Sequence, residues 1–151
     1  MGYILRLTDG TFVIVDGGYS DPVDSANIYS ILTQNNVLAG KPVIRAWFLT
    51  HAHPDHYGAL FKFAQQHSAD VTVKGFYYNL PGNDILVGTD KSYESIGYKI
   101  TEAMMQFHGA QLYGKMHTGM TVGFAGATAT VLYTHEEGTM SYYNSRFSWA
   151  G

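Results

Sequence analysis

The run Val43 to Leu49, VIRAWFL, is apolar at all but one position and ends in Thr50; His51, His53, Asp55 and His56 then crowd into six positions. Such a near-continuous run reads as a strand buried on both faces, so the chain must build layers on each side of it. Ala59, Leu60, Phe63 and Ala64 follow at helical spacing. The polar segment therefore spans a strand-to-helix junction, with Asp55 near the helix amino terminus.

The remaining chain fits around this junction as a mixed sheet with flanking helices. Tyr3 to Leu7 and Phe12 to Val15 predict an opening hairpin, because an Asp9-Gly10 pair separates two β-rich runs. Asp24 or Ser25 is expected to cap a helix that buries Ile28, Ile31 and Leu32. A short strand is expected over Val71 to Val73, then a turn over Asn79 to Asp84. A helix opening at Ser92 should bury Ile96, Ile100, Ala103, Met104 and Phe107, with Gly109 ending it. Thr121 to Phe124 and Thr128 to Tyr133 predict a last hairpin around Gly126, and Glu136 to Gly151 lacks clear periodicity. The order β-β-α-β-α-β-α-β-β implies an α/β domain, taken as one unit over residues 1–151.

Three of the seven histidines lie in the cluster, and the chain has no cysteine. Thiolate ligation is thereby excluded, and any metal must be held by His, Asp or Glu. In an extended segment His51 and His53 project to one side and both imidazoles can meet one ion. The helical turn that follows swings Asp55 and His56 toward a second position close enough for a shared water. Imidazole and carboxylate suit zinc first, with manganese or iron as alternatives, and two adjacent ions are the natural expectation. A metal-bound water with its pKa lowered to about 7 supplies hydroxide near neutral pH, so hydrolysis is the expected reaction class. Surface histidines on a polar loop are the bland alternative. Taken singly, His67, His108, His117 and His135 read as structural or solvent-facing residues.

Thr50 to Leu60, THAHPDHYGAL, resembles the H-x-H-x-D-H motif of the metallo-β-lactamase superfamily. Phe12 to Gly18, FVIVDGG, resembles the strand and Asp-Gly turn that precedes it there. The resemblance implies an αββα sandwich with a dinuclear site at one edge. It implies that His51 and His53 bind a first metal, and Asp55 and His56 a second. Asp55 would also orient the bridging hydroxide, which makes it the expected catalytic residue. Asp16 would stand behind the ligands as a supporting carboxylate, although a plain strand-ending turn explains it equally well. The family completes its site with a third His, a bridging Asp and a last His. Here His135 is the first candidate for the third His and His117 the next, while no Asp follows Asp90. Beyond Ser68 the match rests on element order alone. The expectation is therefore the sandwich or its amino-terminal half, incomplete at the carboxyl end, and such a half would need a partner chain or an intertwined homo-oligomer.

Two functions follow from these readings. One is a metal-dependent hydrolase acting on an ester, phosphodiester, thioester or amide. The other is a metal-binding but inactive domain with a structural or interaction role. Nuclease-like and phosphodiesterase-like substrates lead the first group, and the iron-dependent redox branch is disfavoured because it carries Glu where this chain has His53. A formal charge of −3 offers no basic footprint for nucleic acid, so a nucleic-acid substrate would have to be held locally. Tyr77-Tyr78 and Tyr142-Tyr143 can stack on bases or pack a sheet face. No apolar run is long enough to cross a bilayer and no export signal opens the sequence, so a cytoplasmic chain is expected unless a longer parent carries such a signal.

Overall fold

A computed structural model describes residues 2–80 and 95–134. The opening hairpin forms as expected: β1 (Gly2–Arg6) pairs antiparallel with β2 (Phe12–Asp16). Gly10 takes a φ of 82° in the turn between them, a conformation that costs a residue without Cβ little. Helix α1 (Pro22–Gln34) follows, then β3 (Val43–Leu49), α2 (Pro54–His67), β4 (Thr72–Val73) and β5 (Gly75–Tyr78). From residue 96 come α3 (Ile96–Met105), β6 (Gln111–Tyr113), and the hairpin β7 (Thr121–Phe124) and β8 (Ala127–Thr130).

The main sheet runs β1-β2-β3-β5-β6, with β4 also paired to β3. Among the described strands of this sheet only β1 is antiparallel; β2, β3, β5 and β6 pair in parallel. The carboxyl ends of β2, β3 and β5 therefore share one edge, where parallel sheets characteristically hold their sites. Helices α1, α2 and α3 bury their apolar stripes against one face of this sheet, in a single cluster that includes Leu32, Leu60, Phe63 and Met104. Trp47 is its centre, fully buried, with Phe63, Phe76 and Phe107 at ring distances of 5.3, 6.0 and 6.5 Å. Burying one such ring is worth a few kcal/mol, so the middle of β3 is fixed where it hands over to the histidine segment. The opposite face carries a smaller cluster, Leu7, Val13 and Ala46, against which Phe48, Tyr77 and Phe124 are only half-buried.

Strand β3 slips register beside β2: Phe12 pairs Ile44 but Val13 pairs Ala46. Arg45 is the extra residue and is exposed. Because side chains alternate with a period of two, the slip lets both Ile44 and Trp47 join the helix-side core.

Several expectations need correction. Helix α1 begins at Pro22, capped by the Asp21 carboxylate, which accepts from the Val23 N–H at 2.7 Å; neither Asp24 nor Ser25 is the cap. Asp24 instead accepts the Tyr19 N–H at 2.9 Å, and Ser25 lies inside the helix, where its hydroxyl donates to Gln66 of α2 at 2.8 Å. Ile31 is 44% exposed, because the buried stripe of α1 is narrow and consists of Ser25, Ile28 and Leu32. Strands β5 and β6 were not expected; both are short, and the consecutive aromatics of β5 hide its alternation. The second strand of the last hairpin is Ala127–Thr130, shorter than Thr128 to Tyr133. Most of the turn expected over Asn79 to Asp84, the start at Ser92 and the segment from His135 onward lie outside the described residues. The result is a mixed α/β arrangement with three described helices, consistent with a metallo-β-lactamase-like fold or its amino-terminal half.

Candidate metal centre

The site begins where β2 and β3 end. Asp16 closes β2 in the left-handed region, φ 57°, and is 5% exposed. A non-glycine residue held there costs on the order of 1–3 kcal/mol, so its surroundings must enforce it. They do so from both ends of the residue. The Trp47 indole N–H donates to the Asp16 carbonyl at 2.9 Å, from the centre of the core. Its carboxylate accepts from the Thr50 N–H at 2.9 Å, from the Thr50 hydroxyl at 2.8 Å and, through Oδ2, contacts His56 Nδ1 at 2.8 Å. Asp16 is thus no plain turn residue. It ties the end of β2 to the segment that follows β3.

His51 and His53 flank the buried Ala52, where the chain bends, and Pro54 starts α2 after the extended His53. The ring centroids of His51 and His53 are 4.6 Å apart, brought together across the bend at Ala52. His56, in the first turn of the helix, brings its ring to 3.9 Å from His51. The three imidazoles therefore form one cluster. Thr50 Oγ1 lies 2.9 Å from His51 Nδ1, and His56 Nε2 lies 3.5 Å from Asp55 Oδ2. Partial burial pulls His51 below its ordinary value; the neighbouring His56 and His53 push the same way, and Asp16 and Asp55 oppose them. The neutral imidazole so favoured is the form that binds metals.

A glycine makes the junction possible. The Ala59 N–H donates to the Gly18 carbonyl at 2.9 Å, so the first turns of α2 lie against the loop that follows Asp16. A Cβ on Gly58 would overlap the backbone of Tyr19 and Ser20.

Two further residues share this edge. Leu49 pairs Tyr78, so Thr50 and Asn79 are neighbours one step beyond the last paired positions. The Asn79 amide nitrogen is buried with no hydrogen-bond partner, a placement that nothing in the sequence signalled. Both residues line the end of a cleft of about 370 Å³ between the main sheet and the β7–β8 hairpin, walled by Phe48, Tyr77 and Phe124. Tyr77 itself stacks on Tyr113 at 4.5 Å and on Phe48 at 5.0 Å, which is packing within the sheet; Tyr142-Tyr143 lies outside the described residues.

The sequence model of the metallo-beta-lactamase superfamily matches residues 2–134 of the 151. The chain belongs to that superfamily. No curated protein and no solved structure matches it. Membership covers the whole of the described sheet and both sides of the histidine junction, so the first-half resemblance extends through the β7–β8 hairpin.

The donor chemistry suits the zinc-type ions common in the superfamily. Donors held tetrahedrally at ~2.0–2.1 Å lie roughly 3.3 Å apart, close to the spacing of His56 Nε2 and Asp55 Oδ2. Yet among the described residues no group of three or more His, Asp or Glu side chains is arranged to hold one ion. His117, in the loop between β6 and β7, does not complete such a group, and His135 lies outside the described residues.

Proposed function

We propose that this chain is a metal-dependent hydrolase of its superfamily, with His51, His53, Asp55 and His56 as metal ligands and Asp55 as the catalytic carboxylate. The observation that carries the reading is the convergence of three imidazoles at the β3–α2 junction, with the buried Asp16 gripping His56 from behind. Crowding three basic rings and desolvating one of them is unfavourable unless the neutral rings serve a ligand. Zinc is the first choice of ion, two per complete site, with manganese or iron as substitutes.

When bound, the metal would supply a water acidified toward neutral pH and would polarise the bond to be cleaved. The rest falls to the protein. Asp16 fixes the direction of His56 through Nδ1 and leaves Nε2 facing Asp55. Asp55, 38% exposed at the first turn of α2, is reachable by substrate and would accept the proton of an attacking water. The substrate class is an ester, phosphodiester, thioester or amide, with phosphodiesters leading.

A second reading is a metal-binding but inactive domain with a structural or interaction role. The absence of a three-donor group among the described residues favours it. Elemental analysis of the purified full chain beside His51→Ala/His53→Ala, with turnover of a generic phosphodiester and thioester in added zinc or manganese, separates the two. Two equivalents of metal, lost in the double variant, and turnover abolished in a folded Asp55→Ala support the hydrolase. Metal uptake without turnover supports the second reading, and no uptake overturns both.

A further inference from the structure

We propose that Thr50 is a positioning residue: its hydroxyl relays the buried carboxylate of Asp16 to His51, so that one aspartate sets the tautomer of both His51 and His56. The purpose of the relay rests on reading the cluster as a metal centre; its geometry does not.

The argument is an accounting of protons. Asp16 Oδ2 meets two groups, the Thr50 hydroxyl at 2.8 Å and His56 Nδ1 at 2.8 Å. Asp16 accepts from Thr50 at both of its oxygens, and with the carboxylate as acceptor toward His56 as well, His56 carries its proton on Nδ1. The Thr50 hydroxyl has one proton, and that proton is committed to Asp16. Toward His51 Nδ1, 2.9 Å away, the same oxygen can therefore only accept, and His51 must also carry its proton on Nδ1. Both rings are left with the lone pair on Nε2, which in His56 faces Asp55. A neutral imidazole in water prefers the opposite tautomer, so the pair of Nδ1–H rings is a state that the protein imposes.

The arrangement also explains why Asp16 is held in a strained backbone conformation. Its other oxygen accepts the Thr50 backbone N–H at 2.9 Å, so the residue after β3 is gripped at two atoms and its hydroxyl is aimed. A threonine that merely closed the strand would need the bond to Asp16 but not the contact with His51.

The test is a long-range proton–nitrogen correlation spectrum of the metal-free, histidine-labelled full chain, recorded well above the ordinary histidine pKa of about 6.5. The expected result is an Nδ1–H pattern for both His51 and His56. Thr50→Val should move His51 to the Nε2–H form and leave His56 unchanged, and Thr50→Ser should restore the wild-type pattern. Zinc affinity should fall about 10–100-fold in Thr50→Val and recover in Thr50→Ser. An Nε2–H pattern for His51 in the wild-type chain overturns the proposal even if no variant folds, and so does an unchanged His51 in a folded Thr50→Val. Because the tautomers are read without metal, correct tautomers with no zinc uptake would sink the metal reading and leave the relay standing.

Discussion

The two faces of the main sheet are built to different standards. On the helix side, Trp47, Phe63, Phe76 and Leu32 are 0% exposed, and the rings of four aromatics interlock. On the hairpin side the buried apolar cluster among the described residues is Leu7, Val13 and Ala46, and a cleft of about 370 Å³ separates the sheet from β7–β8. The histidine junction hangs from the first face. Trp47 reaches from that core to the Asp16 carbonyl, and the Gly58 turn of α2 rests on the loop beyond it. The lesson is that the edge carrying the proposed metal centre is braced from one layer.

Breaking that layer should have the largest effect. Trp47→Ala is expected to cost about 3–5 kcal/mol by denaturant melt, and more where the lost indole releases Asp16. Retention of zinc binding at wild-type affinity in that variant would show that the site does not depend on the helix-side core. Gly58→Ala follows, at roughly 1–3 kcal/mol, because the new methyl meets backbone that cannot rotate away. It should also weaken metal binding, as titration with zinc would reveal. Phe124→Ala probes the weaker face and should cost about 1 kcal/mol, well below the value for a fully buried ring. A loss as large as that of Trp47→Ala would erase the contrast between the faces. Smallest, and opposite in sign, Asn79→Leu should raise stability by about 1 kcal/mol, since it removes a buried donor with no acceptor. A lower melting temperature would show that the amide has a partner in solution.

The same contrast explains what the sequence disclosed. The helix-side layer was legible because its residues keep a period: Ala59, Leu60, Phe63 and Ala64 on α2, and Ile96, Ile100, Ala103 and Met104 on α3, are all buried. The junction was legible for the same reason, together with the spacing of its histidines. Short strands were not. Gly75–Tyr78 and Gln111–Tyr113 are held by pairing with neighbours far along the chain, which no local pattern records. The cap of α1 falls at Asp21 rather than Asp24 because Pro22, preorganised for the first helical position, starts the helix two residues before Asp24. The role of Asp16 stayed ambiguous for a physical reason. Two glycines follow it and suffice to explain a turn, whereas its positive φ and its grip on Thr50 and His56 exist only once β2 and β3 lie side by side.

The slip at Arg45 carries a meaning that its exposed side chain conceals. Up to Ile44 the strand keeps one phase, and from Ala46 onward it keeps the other. The direction in which Thr50 and His51 leave the sheet is thus set by a residue whose contribution is simply to be counted. Remove it, and either the core-facing residues ahead or the histidines behind must turn over. The same motif, letter for letter, would then stand on the wrong side of its own sheet.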